Sequence, residues 1–135
     1  MKFRIWNTVI ENWENPYYLA IRADFKENQL LKSDGLTHPF RNFYYNCVIQ
    51  QFTGMLDKNG KDIYVGDLIK IDNTICSYEY LLDQNNEVVF DYFAFGLKTK
   101  DKVGNRQFSH LGSFEPENLE VVGNIFENPE LISKP

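Results

Sequence analysis

Long apolar runs are missing from this sequence: no stretch approaches the roughly 18 residues a membrane-spanning helix needs. The start, Met1-Lys2-Phe3-Arg4-Ile5-Trp6, carries charges where a secretory leader needs an apolar segment. No export signal is legible, and a cytoplasmic setting is expected. Cysteine is scarce, with only Cys47 and Cys76, which match no metal-ligand spacing. Two free thiols in a reducing compartment are the expectation. Histidine is as scarce, so a zinc centre built on His38 or His110 would lack partners. Both histidines are expected to be solvated or hydrogen-bonded. Neither His-Glu-x-x-His nor a phosphate-cradling glycine loop is present. Gly112-Ser113-Phe114 lacks the second glycine of a nucleophile elbow. No cofactor or metal is implied, and an enzyme is not expected.

A surplus of positive charge is also missing. The net charge is -5, which disfavours broad binding to duplex phosphate. Residues 1–49 carry six basic and five acidic side chains, whereas residues 50–135 carry eight basic and fourteen acidic. The acidity therefore lies in the C-terminal part. With 135 residues, 43% hydrophobic and 24% charged, the chain has the length and composition of one globular domain. Aromatics are plentiful at 16%, and bulky rings suit pleated, half-buried surfaces.

The patterning agrees with a mostly β chain. Phe3 to Trp6 predicts a short strand, and Asn15-Pro16 breaks the chain after it. Leu19, Ile21, Ala23 and Phe25 alternate with Tyr18, Ala20, Arg22 and Asp24, the period of a strand with one buried face. Residues 26–43 are ambiguous, with room for one or two helical turns between Lys26 and Lys32. Tyr44 to Phe52 predicts another strand. Asp57-Lys58-Asn59-Gly60 contains Asn-Gly, which predicts a type I′ hairpin turn. Gly66-Asp67 introduces Leu68 to Ile71, with Lys70 expected to face water. Asp83-Gln84-Asn85-Asn86 predicts a turn between the run Tyr78–Leu82 and Val88-Val89-Phe90, and Gly104-Asn105 a further hairpin. Pro116-Glu117-Asn118 fits a single helical turn before a last strand, Leu119 to Phe126.

Turns about ten residues apart describe a small sandwich or barrel. The expected fold is mostly β (all-β to α+β). Residues 64–126 would form a five-stranded SH3-like barrel, and residues 1–63 an N-terminal β extension of strands and a hairpin with short helical turns. Leu68, Ile69, Ile71, Val89, Phe90, Val121 and Ile125 are the expected core.

Three segments resemble the YopX family. They are Lys2-Phe3-Arg4-Ile5-Trp6, the run from Gln51 through Thr53-Gly54, Asp57-Lys58-Asn59-Gly60 and Ile63-Tyr64-Val65-Gly66-Asp67, and Leu119-Glu120-Val121-Val122-Gly123-Asn124-Ile125-Phe126-Glu127-Asn128-Pro129-Glu130-Leu131. Val65 departs from the acidic residue the family usually carries there, and residues 26–43 do not fit the pattern. The resemblance implies small cytoplasmic proteins of phages and prophages, a mainly β fold with an SH3-like barrel, and assembly into oligomers. It brings no catalytic residues. Gly54, Gly60, Gly66 and Gly123 fall where turns or close approach would need them, and Asp57 and Asp67 suit turns whose amides they can bind.

Asp57, Asp62, Asp67, Glu115, Glu117 and Glu120 do not converge in sequence, and solvated turns are their expected home. One stretch combines rings with cations: Tyr92-Phe93-Ala94-Phe95, then Lys98, Lys100, Lys102 and Arg106, opposed only by Asp101 within residues 98–106. Rings stack on unpaired bases and lysines attract phosphate, so Tyr92, Phe95, Lys98, Lys100, Lys102 and Arg106 resemble a minimal single-strand platform. The plainer reading, which the net charge favours, buries Phe93 and Phe95 and uses the lysines to guard a hairpin edge. Two functions follow. The first is a non-catalytic phage or prophage accessory protein that self-associates or binds a phage or host protein; the second is a single-strand nucleic-acid binder. Binding to duplex or membrane is not expected.

Overall fold

The computed structural model describes residues 2–14, 19–20, 30–32, 42–44, 47–72, 79–82 and 84–132. Strands dominate, and contacts gather the chain into two units, residues 1–51 and 52–135. Among the described residues no helix is long and apolar enough to cross a membrane.

In the first unit, β1 (Phe3–Asn7) pairs antiparallel with β2 (Asn12–Glu14), Trp6 opposite Trp13. Its other edge pairs with residues 47–51 of β6 (Cys47–Leu56). The two indoles meet edge to face at 4.9 Å, and the Arg4 guanidinium lies 4.5 Å from the Trp13 ring. Arg4 Nε also donates to Gln50 Oε1 at 2.7 Å, so the cation holds two strands at once. Asn7 Oδ1 accepts the Val9 and Ile10 amides and closes the β1–β2 turn. Three short strands, β3 (Leu19–Ala20), β4 (Leu30–Lys32) and β5 (Asn42–Tyr44), form a separate antiparallel sheet. Lys26–Lys32 therefore ends in strand, with residues 26–29 outside the described residues. So are residues 21–25 of the alternating stretch, His38 and Cys76, and the side chain of Cys47.

In the second unit, residues 52–56 of β6 pair with β7 (Asp62–Tyr64). Then come β8 (Asp67–Ile71), the four-residue helix α1 (Glu79–Leu82), β9 (Asn86–Asp91), β10 (Ala94–Lys100), β11 (Arg106–His110) and β12 (Leu119–Asn124). The last five strands form one antiparallel sheet in the order β11-β10-β9-β8-β12. Four sequential strands paired as neighbours, with a last strand returning to the first, are the connectivity of an SH3-like half-barrel. The expected 3₁₀ turn at Pro116–Asn118 precedes β12, and others occupy Leu111–Ser113 and Pro129–Leu131.

Period two explains the packing. Ile69 and Ile71, Val88, Leu97, and Leu119 point to one face, where they join Ile63, Leu81 and Leu111 in a single buried cluster. Each fully buried aliphatic side chain contributes roughly 1.5–3 kcal/mol. Lys70 faces water as expected. Of the expected core, Leu68, Ile69 and Ile71 are buried, while Val89, Val121 and Ile125 are half-buried. Phe90 is a correction: it is 57% exposed, because it lies at the open end of β9. Val88, two residues earlier on the same face, takes the central buried position instead.

Candidate functional site: the β9–β10 tip and the outer face

The family-like motifs centre on carboxylates. Asp57 and Asp67 are 4% and 1% exposed, so the expectation of solvated turns is wrong for both. Asp57 Oδ1 accepts the amides of Asn59 and Lys61 at 2.9 Å, and Oδ2 accepts the Val121 amide at 3.0 Å. Burial pushes the Asp57 carboxyl up, but the Val121, Lys61 and Asn59 amides and the Lys61 charge hold it below its ordinary value. Asp67 Oδ2 accepts the Tyr64 amide at 2.8 Å, closing the corner that enters β8. At that corner Gly66 donates to Val88 O and its carbonyl accepts the Ile125 amide.

The Asp57 turn also differs in type from expectation. Gly60 has φ +78, but Asn59 does not have positive φ, so a type I′ turn is excluded. The Gly60 amide donates to Asp57 O and the Asp57 amide to Lys61 O, the pattern of a type I turn followed by a left-handed glycine. Asp101-Lys102-Val103-Gly104-Asn105 repeats these bonds between β10 and β11. There Oδ2 accepts from Gln107 within the same hairpin. Asp101 too is held below its ordinary value: desolvation raises it, and bonds from Asn105, Gln107 and Val103 lower it further.

Thr53 and Gly54 form a bulge: Thr53 Oγ1 donates to Ile63 O and accepts the Met55 amide. After β12, Asn124 Oδ1 accepts the Phe126 and Glu127 amides and turns the chain. Each of these motifs thus serves the backbone. Among the described residues no three His, Cys, Asp or Glu side chains gather as metal ligands.

The type I′ geometry occurs elsewhere. Asp91 pairs with Ala94, leaving Tyr92 and Phe93 as a two-residue hairpin loop with φ of 49° and 61°. Such loops favour Asn-Gly because left-handed backbone costs other residues roughly 1–2 kcal/mol each. Here both positions are aromatic. Tyr92 is 71% exposed and Phe93 99%, so Phe93 contributes nothing to the core, contrary to the plainer sequence reading. Phe95 does pack on the buried cluster and meets Phe90 edge to face at 5.1 Å. Beside the tip runs an apolar groove of about 410 Å³ lined by Met55, Ala94, Phe95, His110, Leu111 and Gly112, with Thr53.

The opposite face of β10 carries Gly96, Lys98 and Lys100, cross-strand from His110, Phe108 and Arg106 of β11. The Phe108 ring lies across Gly96: a Cβ there would come within 2.2 Å of it, so only glycine admits the ring. Tyr92 leans on Phe108 with centroids 5.2 Å apart, and Phe108 meets His110 at 5.2 Å. The structure thus brings Tyr92, Lys98, Lys100 and Arg106 to one face. Phe95 lies on the other, and Lys102 is exposed in the β10–β11 turn. Phe108 and His110 were not singled out for this face from sequence, because only the strand register sets them beside Lys98.

These features define a small mostly β protein with an SH3-like half-barrel, whose strongest sequence motifs build turns and corners. The chain belongs to the YopX family: the family described as YopX protein matches residues 2–133. Two solved structures share the fold. Protein EF1440 from Enterococcus faecalis is 23% identical with a TM-score of 0.61, covering 98% of this chain and 97% of that one. Protein yopX from Bacillus subtilis is 19% identical with a TM-score of 0.56, covering 98% and 96%. No curated protein matches the chain.

Proposed function

We propose that this chain is a non-catalytic accessory protein that works by association, first of all with a second copy of itself. The observation that carries this reading is Phe93, a large apolar ring 99% exposed on left-handed backbone. A fold that needed only a turn there would be more stable with Asn-Gly. Strained backbone bearing an exposed ring is the pattern of a contact residue. The groove beside the tip is apolar and large enough for a phenyl ring, so two copies related by a twofold axis can each seat Phe93 in the other's groove. A phage or prophage origin and a cytoplasmic setting accompany this reading through the family likeness.

Light scattering behind a sizing column tests it. The wild type should exceed the 15.9 kDa of one chain at micromolar concentration, and Phe93→Ser should shift the mass toward that value. A wild type that runs as a monomer overturns the proposal.

A further inference from the structure

The outer face of the half-barrel poses a separate question. Lys98 lies on β10, which is paired on both sides, to Glu87 of β9 and to Phe108 of β11. Guarding a sheet edge therefore cannot explain it. Lys98, Lys100 and Arg106 converge on a notch of about 190 Å³ floored by Leu68 and flanked by Asn85 and Ile132. One carboxylate, Glu87, shares the notch, and among the described residues none of the three cations forms an ion pair. Unpaired cations held together in a concave site are attractive to phosphate.

The rings begin where the notch ends. Phe108 is cross-strand from Lys98, His110 from Gly96, and Tyr92 closes the row from the hairpin tip. Gly96 is what lets Phe108 lie across the sheet. Rings and cations on adjoining parts of one face match a nucleotide chain, whose bases are flat and apolar and whose linkages are anionic.

We propose that this face binds single-stranded nucleic acid, with unpaired bases stacking on Tyr92 and Phe108 and backbone phosphate entering the Lys98–Lys100–Arg106 notch. Duplex is excluded because its bases are already stacked, and because a chain of net charge -5 repels the dense phosphate of two strands. Three cations release few counterions, so the affinity is modest and depends on salt.

Fluorescence anisotropy with labelled oligo-dT, beside a hairpin duplex and competing dTTP or inorganic phosphate, tests this. Oligo-dT should bind in the micromolar range at ~50 mM salt, and about twentyfold more weakly at ~200 mM, as three phosphate contacts on a single strand predict. Lys98→Glu with Arg106→Glu should abolish binding, and Tyr92→Ser should weaken it at least tenfold. Phe93→Ser should bind as the wild type does while losing self-association, which separates this site from the tip contact. Urea midpoints of the variants confirm that each is folded. Equal affinity for duplex, equal competition by free phosphate or dTTP, no binding at low salt, or full binding by the charge-reversed variant each overturns the proposal.

Discussion

Asp57 and Asp101 sit in turns with the same five-residue bonding pattern, yet they serve different ranges of structure. Both carboxylates gather local amides, but only Asp57 extends its second oxygen 64 residues along the chain, to Val121 on β12. Its loss would leave the Asn59, Lys61 and Val121 amides, all in partly buried bonds, without their acceptor, at about 1–3 kcal/mol. Asp57→Asn should cost about 2–3 kcal/mol in urea unfolding at pH 7, because its new NH₂ opposes an amide donor. Asp101→Asn should cost less, its partners being within one exposed hairpin. The sign of the pH effect follows from the lowered folded value of Asp57. Its contribution is complete above the ordinary 3.8 and is lost as pH falls through the lower folded value. The gap between wild type and Asp57→Asn should therefore shrink at pH 3 relative to pH 7. A gap that widens on acidification would refute the role given to the carboxylate.

At the scale of elements, the β9–β10 hairpin contains the opposition between stability and use. Tyr92 recovers part of its backbone cost by packing on Phe108, a contact of the kind that contributes about 0.5–1.5 kcal/mol. Phe93 has no such recovery. Phe93→Gly should raise stability by about 1 kcal/mol, since glycine enters left-handed backbone freely and no buried contact is removed. The urea midpoint measures this, and a lower midpoint would show that the ring supports the fold. The hairpin also shows why the turn at residues 57–60 departs from the expected type. Asn-Gly is the common type I′ pair, but Asp57 selected a different loop by bonding the amides of Asn59 and Lys61. No composition rule would place a type I′ turn on Tyr92-Phe93. That turn follows from the pairing of Asp91 with Ala94, which leaves two residues to close the loop.

For the whole molecule, low net charge near the isoelectric point of about 5.0 removes the repulsion that keeps exposed rings apart. Solubility should pass through a minimum near pH 5, and Phe93→Ser should make that minimum shallower; turbidity across pH 4–8 measures both. By itself the sequence determined the mostly β class and the strands around Leu68–Ile71, Val88–Phe90 and Leu119–Asn124, but not the helical turn at Glu79–Leu82. It also determined the 3₁₀ turn at Pro116–Asn118, because alternation, glycine and proline act locally. The family was legible for the same reason, since Thr53-Gly54, Gly66-Asp67 and Gly123-Asn124 are local backbone devices. Tertiary structure alone decided which aromatic rings became core and which became surface. Val88 and Phe90 lie on the same face of β9, yet Val88 sits mid-strand and is buried while Phe90, near the strand's end, is exposed. It likewise decided that Phe108 and His110 lie beside Lys98, and that Asp57 reaches Val121. Those neighbours are set by cross-strand pairing, which depends on residues far apart in the chain.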